Sequence, residues 1–193
     1  LRGGAGNDAI EGGAGDDWIG GDNTRFDILI GDISPEDHGH DVLSGGEGAD
    51  TLVGQGGSDA LYGGADDDQL WGDNSDLKDT PPEYAGQDYL DGGDGNDQLN
   101  GGAAEDELFG GTGNDKMWGD DRAEDLPGEH HGDDYLDGEE GDDELSGGGT
   151  DVLFGGDGAD NDTLWGDTRT TVLGAEHHGD DVLDGEEGDD ALV

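Results

Sequence analysis

The 193-residue sequence contains no cysteine, so no disulfide can staple it. It has six Lys and Arg against 54 Asp and Glu, and only three Phe and one Met. The shortage of bases excludes nucleic acid and anionic membrane surfaces as partners, because their phosphates would meet a chain of net charge -48. No run approaches the ~20 apolar residues of a membrane span, and no signal peptide is read at the N-terminus. Hydrophobic residues make up 28%. Such a chain cannot bury enough apolar surface to offset its conformational entropy, and its charge repels itself. Composition alone therefore describes a disordered polypeptide. No 3.6-residue apolar period is present, and frequent glycine argues against helix.

What is present is a nine-residue unit, clearest at Gly45-Gly46-Glu47-Gly48-Ala49-Asp50-Thr51-Leu52-Val53. Its pattern is Gly-Gly-x-Gly-x-Asp-x-U-x, with U a large aliphatic residue. Read from the opening glycine, seventeen units begin at Gly3, Gly12, Gly21, Gly31, Gly45, Gly54, Gly63, Gly72, Gly92, Gly101, Gly110, Gly119, Gly138, Gly147, Gly155, Gly166 and Gly185. The sixth position is Asp in all of them: Asp8, Asp17, Asp27, Asp41, Asp50, Asp59, Asp68, Asp88, Asp97, Asp106, Asp115, Asp134, Asp143, Asp151, Asp162, Asp181 and Asp190. Ile, Leu or Met follows each Asp by two residues, from Ile10 to Leu192 and including Leu29. Agreement at three fixed positions over so many units identifies a solenoid repeat.

The departures are ordered too. Every fourth unit carries an insertion after a Gly-Asp opening, read at Gly31-Asp32, Gly72-Asp73, Gly119-Asp120 and Gly166-Asp167. All six His and all four Pro lie in these insertions, with Lys78, Arg122 and Arg169.

The first six residues of a unit make a glycine-rich turn that permits positive φ and crowds carbonyls round one point. The sixth adds a carboxylate. Such an oxygen set suits Ca²⁺, which takes six to eight oxygen ligands in a forgiving geometry. Mg²⁺ demands a stricter octahedron, and zinc or copper would want His or Cys, which the repeat lacks. One turn offers too few ligands. With two units per coil, an ion between loops n and n+2 receives oxygens from both. The last three residues form a short strand with U inward and its neighbours outward. Folding and ion binding are then expected as one event.

These residues resemble the RTX (repeats-in-toxin, haemolysin-type) calcium-binding repeats, over residues 3 to 193 with the insertions as departures. The resemblance implies an all-β, right-handed parallel β-roll of short strands in two sheets, one domain spanning 1–193, with several Ca²⁺ ions in the turns. All seventeen sixth-position Asp residues are the implied ligands, with loop carbonyls. It also implies export by a type I route and an extracellular, secreted setting. The repeat pattern runs to both ends, so the chain reads as a segment of a longer protein.

All four insertions are expected on one edge, with a regular ion row on the other. Acidic fifth-position residues such as Asp16, Asp142 and Asp189 read as surface charge. Trp71, Trp118 and Trp165 are expected to stack on the outer face of one sheet, and Tyr62, Phe109 and Phe154 on the other. Loop residues Leu77, Leu126 and Val172-Leu173 either cover the Trp row, or the aromatics form a platform for sugar rings. His38, His40, His130, His131, His177 and His178 read as loop polar residues near carboxylates, with a transition-metal site as the sharper reading. No nucleophile–base pair or closed cleft is visible, so the chain does not read as an enzyme. Three functional readings follow: a calcium-dependent structural and folding module, a carbohydrate or surface adhesion module, and an accessory region of a secreted enzyme or toxin.

Overall fold

The computed structural model describes residues 1–4, 6–15, 17–22, 38–73, 84–120, 131–156, 161–166, 181–186 and 188–193. They form sixteen short strands and no helix: β1 (Ala9–Ala14), β2 (Trp18–Gly20), β3 (Val42–Glu47), β4 (Thr51–Gln55), β5 (Ala60–Ala65), β6 (Gln69–Asp73), β7 (Tyr89–Asp94), β8 (Gln98–Gly102), β9 (Glu107–Thr112), β10 (Lys116–Asp120), β11 (Tyr135–Glu140), β12 (Glu144–Ser146), β13 (Val152–Phe154), β14 (Thr163–Trp165), β15 (Val182–Asp184) and β16 (Ala191–Leu192). Odd strands make one eight-stranded parallel sheet and even strands the other, each in chain order. The chain therefore winds alternately through two sheets, two units per coil, as a parallel β-roll. Eight coils at ~4.8 Å each give a rod roughly 40 Å long.

Register follows from the single inward-facing aliphatic of each unit. Leu43, Leu61, Leu90, Leu108, Leu136 and Leu153 pair in one column of the odd sheet. Ile19, Leu52, Leu70, Leu99, Met117, Leu145 and Leu164 pair in the even sheet. These thirteen side chains are fully buried and form the core cluster of the described residues. A slip of one residue would turn every one of them outward, so the register is strongly fixed. At the ends the column is open: Ile10 and Leu183 are partly buried, and Leu192 is 51% exposed.

The described residues make sixteen units rather than seventeen. The turn opened by Gly21 closes at Asp41, whose carboxylate lies against Gly21 as in every other unit. Asp41 also sits between Asp8 and Asp59 in the hydrogen-bond ladder. The first insertion therefore opens at Gly21-Asp22, not at Gly31-Asp32. Asp27 and Leu29 lie outside the described residues. Local sequence fitted a second unit here because Gly, Asp and Leu recur by composition in so glycine- and aspartate-rich a stretch. Insertions then occupy units 3, 7, 11 and 15, all on the edge where an even strand leads to an odd one. The opposite edge carries none of these four.

The outer faces differ from the simple aromatic stacks expected. Trp71, Trp118 and Trp165 share one column of the even sheet, but Asn100 and Ser146 separate them. They stand about 10 Å apart, two strands each. Tyr62, Phe109 and Phe154 are likewise separated by Asp91 and Asp137. Here Tyr89 and Tyr135, from the neighbouring column, fill the gaps. The five rings Tyr62–Tyr89–Phe109–Tyr135–Phe154 form a continuous tilted ladder with centroids 5.5–5.7 Å apart. Leu77, Leu126, Val172 and Leu173 lie outside the described residues.

Candidate metal centre

Each turn is built by conformation before charge. In the regular nine-residue turns the second and fourth positions take positive φ, as at Gly46 (φ 117) and Gly48 (φ 116), Gly93 (φ 101) and Gly95 (φ 154), Gly111 (φ 107) and Gly113 (φ 126). Non-glycine residues that hold these positions, Gln55, Asp66, Ala104, Glu139 and Glu186, take positive φ as well. Glycine is favoured because a Cβ strains such a backbone. At Gly46 a Cβ would also meet the carbonyl of Gly13.

The described sixth-position carboxylates form two ladders, one per edge. On the insertion edge the backbone N–H of one Asp donates to Oδ1 of the next, through Asp8, Asp41, Asp59, Asp88, Asp106, Asp134, Asp151 and Asp181, at 2.7–3.0 Å. On the plain edge the ladder runs through Asp17, Asp50, Asp68, Asp97, Asp115, Asp143, Asp162 and Asp190, again at 2.7–3.0 Å. From Asp41 to Asp162 these side chains are at most 3% exposed, while Asp8, Asp17, Asp181 and Asp190 at the ends are half-buried.

Only one oxygen of each carboxylate is used by the ladder. Oδ2 of Asp41, Asp59, Asp68, Asp88, Asp97, Asp106, Asp115 and Asp134 is buried and has no hydrogen-bond partner. Each lies against the opening glycine of its own unit, in space that a Cβ would fill. The carbonyl of the opening glycine two units on reaches the same space: Gly63 O beside Gly45, Gly110 O beside Gly92, Gly119 O beside Gly101. Oxygens from loops n and n+2 thus converge, carboxylate from one and carbonyl from the other. Among the described residues no three His, Asp or Glu side chains close on one point. The remaining ligands of any ion must then be carbonyls or water, a donor set that fits calcium and not zinc.

Electrostatics agree. Burial, then the Asp41 charge, pushes Asp59 up to about 8. Burial and neighbouring carboxylates raise Asp68 and Asp115 to about 7, and Asp97 to about 6. Asp151 is raised to about 6, chiefly by burial. Asp88, Asp106 and Asp134 stand well above the ordinary carboxylate range, by burial and then by Asp73, Asp88 and Asp120 respectively. Buried like charges of this kind call for a cation.

Three of the inserted loops, among the described residues, rebuild the turn. Gly39 packs on the backbone of Gly6, Gly86 on Gly57, and Gly132 on Ala104, all fourth-position residues of neighbouring loops. Each of these three insertions therefore leaves after the second residue and returns at the third. The signal was present in the sequence as x-Gly-x-Asp at the end of every insertion. The second-position Asp22, Asp73 and Asp120, passed over as ligands in the repeat pattern, are 0%, 6% and 2% exposed. His38 and His131 sit beside two of them, with Nδ1 3.9 Å from Asp22 Oδ2 and 2.8 Å from Asp120 Oδ2. These side chains are buried, 5% and 1% exposed. His40 is exposed and accepts from the Ser58 N–H. Asp142 and Asp189 are exposed as expected. Asp16, His130, His177 and His178 lie outside the described residues.

Stacked glycine turns that present a buried carboxylate ladder along each edge define a cation-binding parallel β-roll. The chain belongs to the RTX calcium-binding nonapeptide repeat family, whose model matches residues 1–24, 39–76, 84–117, 132–161 and 178–193. No curated protein matches it.

Proposed function

We propose that this chain is a calcium-dependent structural and folding module of a secreted protein, with the sixth-position Asp carboxylates as ligands along both edges. One observation carries the reading: buried Oδ2 atoms without partners, repeated beside opening glycines where a carbonyl from two loops on also arrives. Ca²⁺ placed there neutralises charge that the thin core cannot hold together alone. Asp, carbonyl and glycine each have one part: the carboxylate supplies charge, the carbonyls complete the shell, and glycine leaves the room. RTX repeat proteins are typically secreted, which supports an extracellular setting rich in calcium. Circular dichroism of metal-stripped protein tests the reading. β-structure should appear cooperatively on adding calcium, and unchanged spectra would refute it.

A second reading has one observation in its favour. The aromatic ladder on the odd sheet presents Tyr62 at 40% exposure among polar neighbours, a surface suited to sugar rings. Binding on a glycan array, lost in Tyr62→Ala, would support it, and no binding to any glycan would reject it.

A further inference from the structure

We propose that Asp22, Asp73 and Asp120 are additional calcium ligands, which makes the insertion edge the home of the roll's tightest ion sites. This rests on the calcium reading above and extends it to a position outside the nonapeptide consensus.

The second residue of a plain turn is usually glycine at positive φ, as at Gly46, Gly64, Gly93 and Gly111. Every insertion opens instead with Gly-Asp. Asp22, Asp73 and Asp120 are not among the five described non-glycine residues with positive φ. An ordinary φ lets the chain leave the turn for the insertion, but that requirement admits any L-residue. It does not explain a buried acid in each of these three loops of a chain already at net charge -48.

Their surroundings do. Each is buried against a turn rather than exposed to solvent, Asp22 and Asp120 against their own turn and Asp73 against the loop two units on. Asp73 lies over Gly102 and accepts from the Ala103 N–H at 3.1 Å. Asp120 lies over Gly148 and accepts from the Gly132 N–H at 3.1 Å. Asp22 accepts from the Gly39 N–H at 3.3 Å, and its Oδ1 is buried with no hydrogen-bond partner. Asp22, Asp73 and Asp120 each follow an opening glycine, Gly21, Gly72 and Gly119, against which the sixth-position carboxylate of Asp41, Asp88 and Asp134 lies. Each of these three turns thus holds two buried carboxylates where a plain turn holds one. Histidine is not the reason for the acid: Ala85 stands where the other loops have His38 and His131, yet Asp73 is retained and buried. For an oxygen-liganded ion, affinity rises with the number of charged ligands. A second carboxylate strengthens the attraction, and the amide hydrogen bonds already fix its orientation.

Asp73→Asn tests this, because Asn keeps the shape and can still accept from Ala103. Calcium binding is followed by calorimetry and native mass spectrometry on the full chain, with Asp22→Asn, Asp120→Asn and the triple variant. Exposed Asp94→Asn is the control. The wild type should show a tight class of sites. Each single variant should weaken one ion of that class roughly tenfold or more, and the triple variant should abolish the class, while Asp94→Asn changes nothing. Wild-type isotherms from D73N and the triple variant would overturn the proposal and leave the sixth-position sites standing. A wild type that takes up no calcium would overturn both. Should D73N fail to fold in saturating calcium, Asp22→Asn and Asp120→Asn decide by the same readout.

Discussion

Calcium-free protein should be unfolded at neutral pH and gain order on mild acidification. The sign follows from the buried carboxylates. Asp59 stands at about 8, and Asp68 and Asp115 at about 7, against an ordinary 3.8. A folded value raised above the unfolded one means stability present below pH ~4 and lost as pH rises through 6 to 8. At roughly 1.36 kcal/mol per pH unit, Asp59 costs the ion-free fold about 4 kcal/mol at pH 7. Asp68 and Asp115 cost nearly as much each. Three such groups match the ~5–15 kcal/mol that holds a typical domain together, and Asp88, Asp106 and Asp134 are also pushed well above the ordinary carboxylate range by burial. At pH 5 each of the three costs only about 1.5 kcal/mol. Metal-stripped protein, followed by far-ultraviolet circular dichroism from pH 7.5 to pH 5, should therefore pass from coil to β-structure. In calcium the trend reverses, since protons compete for the same oxygens and the calcium midpoint should rise as pH falls from 8 to 6. A well-ordered roll at pH 7.5 in excess chelator would refute the reasoning, as would loss of order on acidification.

Other perturbations separate core, turn and surface. Leu99→Ala empties a fully buried core position; thermal denaturation in saturating calcium should show a loss of about 2–5 kcal/mol. Gly46→Ala should be far worse than Gly13→Ala: both have positive φ, but only at Gly46 does a Cβ meet backbone, the Gly13 carbonyl. Equal melting temperatures for the two would show that the turns do not stack as described. Phe109→Ala removes two ring contacts, with Tyr89 and Tyr135, and should cost about 1–3 kcal/mol without changing the number of calcium ions counted by native mass spectrometry.

Most of the architecture was legible in one dimension because each unit carries its own instructions. Glycines at fixed places set the turn, one aliphatic sets the inward face, and one Asp sets the charged corner. Fold, core and the two edges follow from that period. Where the reading failed, composition imitated the motif. Between Gly21 and Asp41 a glycine, Asp27 and Leu29 satisfied the pattern locally, yet only the pairing of β2 with β4 and of β1 with β3 shows that one coil position is involved. The aromatic ladder was half visible for a related reason. Tyr62, Phe109 and Phe154 share a repeat position, whereas Tyr89 and Tyr135 belong to another and join them only because adjacent columns are close in space.

The sequence by itself determined the repeating turn, the inward aliphatic and the need for a cation, since local conformation and net charge depend on nothing distant. Only the tertiary structure decided which carbonyl meets which carboxylate, that three of the inserted loops rebuild the turn, and that Asp22, Asp73 and Asp120 are buried. Those facts arise between neighbouring coils, where the fourth-position backbones of successive loops are brought into contact, and no single unit contains them.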